Sequence, residues 1–361
     1  MGSFMNMAES CWMSRSIGQS ISSVCIDENN DFLVGGWDGE FRKYSRSGDL
    51  LWTTTLPDRV GAIEVEKSSV FVTSGLHIVC LDASTGHIIW QHALEGSADD
   101  IIVYQNKVYA ISSVYDIEHN DFIDSAIWCF SKSGEKQWDT HLDERPWVIL
   151  PTEKQITVGL GRPKMGNASV SKLGKLQYHQ PIVESPITSG CMRHEGPLFA
   201  HADGHITDNE SKLLQLDSAI ESIISHNNAF YCITDSGKAI GYNEKSKQLW
   251  SMQFDKPNLQ TIGFVIGKSP TYWLAISDGI NGNIQVLDSN NGEILCQMPS
   301  KPAKAIHSNS DFVIIGFEDG EIMVWQRELF ERRLNSTEAN NKTNNEHRKS
   351  MKDKLRALRE R

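Results

Sequence analysis

VFVTSGLHIVCLDASTGHIIWQHAL, residues 70–94, decides the fold. Val70 to Thr73 is a β-rich run that ends at a Ser-Gly turn, and His77 to Leu81 is a second; Asp82-Ala-Ser-Thr-Gly86 then breaks the chain before a third, His87 to Leu94. Gly86 supplies the positive φ that a short strand connection needs, while Asp82 and Thr85 are placed to bond nearby backbone. The stretch predicts three strands joined by two tight hairpins, with Trp90 four residues beyond the glycine.

That offset recurs along the chain. Trp52 follows Gly48, Trp138 follows Gly134, Tyr178 follows Gly174 and Trp250 follows Ser246, with weaker copies at Trp12, Gln215 and Cys296. The eight markers stand 40, 38, 48, 40, 37, 35 and 46 residues apart, close to the period of a four-stranded sheet repeated as a propeller blade. Seven continuous blades fall near 20–56, 57–94, 95–142, 143–182, 183–217, 218–254 and 255–299. An eighth has only three strands, Ala303 to His307, Phe312 to Gly316 and Glu321 to Trp325, whereas residues 8–17 form a lone strand around Trp12. Pairing the two ends removes an exposed edge. The expected fold is all-β: an eight-bladed β-propeller over 8–326, closed by an N-terminal strand joining the C-terminal blade, with a short charged C-terminal tail.

The tail, 327–361, holds 11 Lys or Arg against 6 Asp or Glu, so the chain's net −11 becomes −16 on residues 1–326 once the tail's +5 is set aside. Phosphate is repelled by such a propeller, which disfavours nucleic acid; the tail alone has the charge to touch an anionic surface. Glu328 to Leu334 can form a short helix, and Met351, Leu355 and Leu358 make a narrow apolar stripe. A partly disordered or helical tail that stays off the propeller core is expected, so truncation after Gln326 should leave stability nearly intact. Seven cysteines are scattered singly without C-x-x-C spacing and read as thiols, not as a disulfide or metal set. Residues 1–20 show no apolar run of signal-peptide length and no 18 consecutive apolar residues occur, so a soluble, cytoplasmic, monomeric protein without membrane contact is expected.

CLDASTGHIIW resembles the repeat of the PQQ-like (quinoprotein-type) β-propellers, with Cys80, Asp82, Thr85, Gly86 and Trp90 in the pattern's positions. The resemblance covers nearly all of residues 8–326 and implies that Trp12, Trp52, Trp90, Trp138 and Trp250 pack on backbone of a neighbouring blade. Blade eight, FVIIGFEDGEIMVWQ, is more similar to a WD-repeat. The quinoprotein dehydrogenases pair their cofactor with a vicinal disulfide and are exported; no Cys-Cys pair or export signal is seen here, so no quinone or other cofactor is expected.

Function then rests on surfaces, because the fold alone names no chemistry. His201 and His205 flank an Ala-Asp-Gly turn and are read as surface or rim histidines, not metal ligands. Blade three carries an inserted loop, 114–125, between its second and third strands, in which Asp116, Glu118, Asp121 and Asp124 accompany Tyr115 and Phe122, with Trp147 nearby. Acidic groups around aromatic anchors suit a protein interface, and the alternating acids lack the glycine and closing glutamate of a calcium loop. Arg59, Asp99, Asp100, Arg145 and Lys304 are expected just before the inner strands, around the channel mouth. Mixed charge without a convergent acid, base and nucleophile favours a noncatalytic protein-interaction scaffold; the alternative is a small-ligand or enzymatic propeller using the central channel.

Overall fold

The computed structural model describes residues 5–152 and 155–337. Eight four-stranded antiparallel sheets form the ring, over 21–55, 60–93, 97–142, 146–178, 187–215, 220–253 and 257–300, with the eighth built from both ends of the chain. Met13–Ser16 completes that eighth sheet by pairing with Glu321–Gln326, Met13 opposite Val324 and Ser16 opposite Glu321. Each strand sends one set of side chains to either neighbour, so the core is a series of apolar clusters lying between blades. All seven cysteines are free thiols.

The turn at Asp82 works as its residues dictate. The Asp82 carboxylate accepts from the hydroxyls of Ser84 and Thr85 at 2.6 and 3.0 Å and from two backbone N–H groups, which holds it down at about 2. Beyond the turn, the marker tryptophans join successive blades. Trp52 Nε1–H donates to Ala83 O at 3.1 Å, Trp90 to Lys132 O at 2.9 Å, Trp138 to Lys172 O at 3.0 Å and Trp250 to Ser289 O at 2.8 Å. Trp12, half exposed, reaches Arg46 O at 3.2 Å. In four of these the indole lies on the turn glycine of the next blade: a Cβ on Gly134, at φ +88°, would stand 2.6 Å from the Trp90 ring, and Gly86 meets Trp52 equally closely. The glycine is thus fixed by two demands, a left-handed backbone and a ring overhead.

Three junctions lack this staple. Tyr178 turns back to Glu144, its hydroxyl donating to Oε2 at 2.9 Å, and Gln215 is an exposed residue on the short outer strand Lys212–Gln215. Cys296 is buried at the third, between blades 7 and 8, where other parts of the chain substitute for the missing ring. Met5 bridges Cys296, Met7 O accepts from Trp325 Nε1–H at 3.0 Å, and Met5 and Met7 are buried in the same cluster as Phe264 and Trp273. Residues 1–7 show no sequence pattern, yet Met5 and Met7 belong to the core.

The tail expectation fails for its first part. Residues 327–337 form a helix, and Phe330 and Leu334 are buried, Phe330 lying 5.4 Å from both Phe264 and Trp273. An i, i+4 apolar pair gives this helix a face, and the unstapled junction offers the surface to cover. Truncation after Gln326 would therefore open the core. Met351, Leu355, Leu358 and the rest of 338–361 lie outside the described residues.

Candidate functional site

Every inner strand bulges within its first residues, at Ile21/Ser23, Val60/Ile63, Ala98/Asp100, Pro146/Val148, Ile187/Ser189, Ile220/Ser222, Pro257/Leu259 and Ala303/Ala305. A bulge re-aims one side chain. In three blades that residue is a donor tied to the next inner strand: Ser22 to Val60 O at 2.6 Å, Thr188 to Ile220 O at 2.5 Å and Asn258 to Ala303 O at 3.2 Å. Blade 3 puts Asp99 at this place and blade 4 puts Trp147. An ionised carboxylate has no proton to donate, so the link from blade 3 to blade 4 takes another form. Arg145 pairs with Asp99 at 3.3 Å, and the inner strands of blades 3 and 4 are in the sparsest contact of any neighbouring pair.

The inserted segment is not a loop but a lengthened hairpin. Lys107–Asp116 and Asp121–Ser131 run on as strands, Tyr115 opposite Phe122 and Asp116 opposite Asp121, and only 117–120 turns. Alternating β-formers such as Val114, Tyr115, Phe122 and Ile123 let the ladder continue past the ring. The hairpin brings Phe122 edge-on to Tyr115 at 5.1 Å and to Trp147 at 6.1 Å. The Arg145 guanidinium sits in the corner these two rings make, 4.3 Å from the Phe122 ring and 4.0 Å from that of Trp147. Asp99 fixes the other side of this arginine and accepts a further hydrogen bond from Ser113.

The structure thus gathers Asp99, Tyr115, Phe122, Arg145 and Trp147 at one point and leaves the other candidates apart. Arg59 lies over Trp37 at 4.9 Å and Lys304 pairs with Glu318 at 3.5 Å. Asp99, Asp100 and Lys304 lie inside inner strands, not before them, because those strands begin at Ser97 and Ala303 and run through the bulge. Asp116 pairs with His119 at 2.7 Å and also accepts the Glu118 N–H, Asp121 accepts the Phe122 N–H at 2.8 Å, and Asp124 pairs with His141 at 3.2 Å. Burial, followed by the Asp100 charge, pushes Glu64 up to about 7; burial pushes Asp100 up to about 6, opposed by its bond from the Ile101 N–H. His201 is buried, not at the rim: its ring contacts Ser185 O at 3.1 Å and Thr207 Oγ1 at 2.9 Å, and burial lowers its pKa, whereas His205 pairs with Asp203.

Sequence reasoning missed much of the apolar part of this face. Because the sheets are up-and-down meanders, the turns between second and third strands share one face with the blade-to-blade connections. Trp37, Leu76, Ile117 and Ile280 are exposed in those turns, and Tyr115, Ile123 and Trp147 beside them. Tyr115 and Trp147 were legible beside the insertion, whereas Trp37, Leu76, Ile117, Ile123 and Ile280 were not. Elsewhere, a cavity of about 320 Å³ between blades 7 and 8 is lined by Met298, Phe317 and Met323 with Lys301 and Glu321.

Residues 38–176 match the profile of a PQQ-type repeat family described as outer membrane protein assembly factor BamB. Over that stretch, from blade 1 into blade 4, the chain is similar to PQQ-type repeats, and the whole is an eight-bladed β-propeller. Among solved structures, 1233 chains match this chain, so the likeness speaks to fold and not to one activity. They include the computationally designed Ika8 protein, at 15% identity and TM-score 0.71, covering 88% of this chain and all (100%) of its own. BamB from Moraxella catarrhalis is 15% identical with TM-score 0.67, over 88% and 97% of the two chains. The WD-repeat protein Sqt1 of Saccharomyces cerevisiae is 9% identical with TM-score 0.71, over 88% and 98%. No curated protein sequence matches.

Proposed function

We propose that this chain is a noncatalytic protein-binding propeller that works through the face carrying its second-to-third-strand turns, centred on the blade 3 hairpin and Trp147. The observation that carries this reading is the run of exposed apolar side chains on four successive blades of one face: Trp37, Leu76, Tyr115 with Ile117 and Ile123, and Trp147. Apolar groups gathered on one face mark interaction surfaces more often than scattered ones do. Aromatic side chains with an arginine among them are the usual hot-spot material. Here the arginine is already locked between two rings and a carboxylate, so docking would cost little further rotamer freedom. The matched family's description, an assembly factor, speaks of work on other proteins and supports the same reading.

Copurification from native cells tests it. Full-length chain carrying Trp37→Ala and Trp147→Ala should lose partners that the parent retains, while Ile89→Ala on an outer strand should keep them. An unchanged partner profile in the first variant, with the propeller folded, would move the interface elsewhere.

A further inference from the structure

The same face is lopsided in charge. Residues 95–147, which build blade 3 and enter blade 4, contain 11 Asp or Glu and 4 Lys or Arg. Strand direction sorts them. Lys107 opens the second strand, Lys132 sits in the turn after the third and Lys136 opens the fourth, so these three lie toward the opposite face. Each has a partner there: Lys107 the Lys172 carbonyl at 3.3 Å, Lys132 Glu66 at 2.5 Å and Lys136 Asp139 at 2.8 Å. Of these four only Arg145 reaches the hairpin face, where it is held by Asp99 and two rings; the neighbouring blade 4 turn, 161–166, adds Arg162 and Lys164, of which Lys164 pairs with Glu144 at 3.6 Å. Beside it, Glu118, Asp121 and Asp143 are exposed, and among the described residues none of them has a cation within ion-pair distance.

We infer that the occupant of this face is a protein segment bearing Lys or Arg together with an aromatic or long aliphatic side chain. This rests on the proposed interaction face and specifies its partner. The apolar residue covers Trp147, Ile117 and Ile123, while the cations pair with Glu118, Asp121 and Asp143. A neutral partner would bury those carboxylates without compensation, and an anionic one, such as nucleic acid or an acidic membrane, would be repelled. The charge also steers encounter, so association should slow as salt rises.

The probe is a displayed library of random dodecapeptides panned on the immobilised full-length chain. Enriched peptides should be net positive and carry an aromatic or long aliphatic residue. A synthetic copy of one should lose about tenfold or more in affinity on Trp147→Ala, and likewise on the paired change Asp121→Lys with Asp143→Lys. Glu244→Lys, on the opposite face, should leave its affinity unchanged. Neutral or acidic peptides that still depend on Trp147 would overturn the basic partner and leave the face standing. Peptides indifferent to Trp147→Ala would overturn the face itself, and failure to enrich any peptide would count against the partner proposed here.

Discussion

From blade 1 through blades 2 and 3 to blade 4, each neighbour is joined at the rim by an indole lying over the next turn; from blade 5 to blade 6 the join is made near the axis by hydroxyls. Thr188 donates to Ile220 O at 2.5 Å, Ser225 to Met192 O at 2.5 Å, and Ser189 accepts the Ile223 N–H at 3.1 Å. Blade 5 ends in a short outer strand, Lys212–Gln215, with exposed Gln215 at the marker place, and so sends no indole onto blade 6. Instead its inner strand and that of blade 6 run in the closest contact of any neighbouring pair. The rim staple is therefore one of two ways to hold adjacent blades, and a ring can mix them.

The largest effect expected from this contrast is at Trp52, which is 7% exposed. Trp52→Ala should cost about 3–5 kcal/mol, while Gln215→Ala at the matching place in blade 5 should cost under about 0.5. Equal losses in denaturant melts would abolish the distinction. Next comes Gly134→Ala, where a methyl group meets the Trp90 ring at φ +88° and an expected cost of order 1–3 kcal/mol should appear as a lower melting temperature. Smaller again are Thr188→Val and Ser225→Ala, each about 1 kcal/mol; if either proved silent, packing and not hydrogen bonding would hold blades 5 and 6 together.

A separate effect lies in the pH dependence of the stapled arc. Glu64 at about 7 and Asp100 at about 6 stand above the ordinary carboxylate value near 4. Between roughly pH 4 and 7 the folded chain therefore binds more protons than the unfolded one, and this contribution to stability falls as pH rises through that window. Glu64→Gln cannot ionise. It should outlast the parent in thermal melts near pH 8 and lose that advantage near pH 5.

What the sequence made legible follows the same divide. Rim staples need a glycine and an aromatic residue at fixed spacing, so Gly86 and Trp90, or Gly134 and Trp138, announce a blade within a dozen residues. Joins near the axis use Ser and Thr, which have many other uses, and leave no spacing to find. The 7–8 junction is harder still, since Met7, Cys296 and Phe330 meet only through tertiary packing. At the candidate face, the hairpin's acids and Trp147 could be picked out by type. Its cluster of arginine and rings depends on a bulge at Ala98/Asp100 and on a hairpin that continues as strands, neither of which has a local signature.

The composite blade also sets a clock. Met13 pairs with Val324, so the first strand made has no partner until the last blade has been synthesised. At about 5–20 residues per second, that wait is roughly 15 to 60 s. Blades 1 to 7 can form in sequence during this interval, but the ring remains an open arc with an unpaired strand at its leading end. A nascent chain is exposed to edge-to-edge association for all of that time, and the exposure ends only when Glu321–Gln326 reaches the strand at Met13–Ser16.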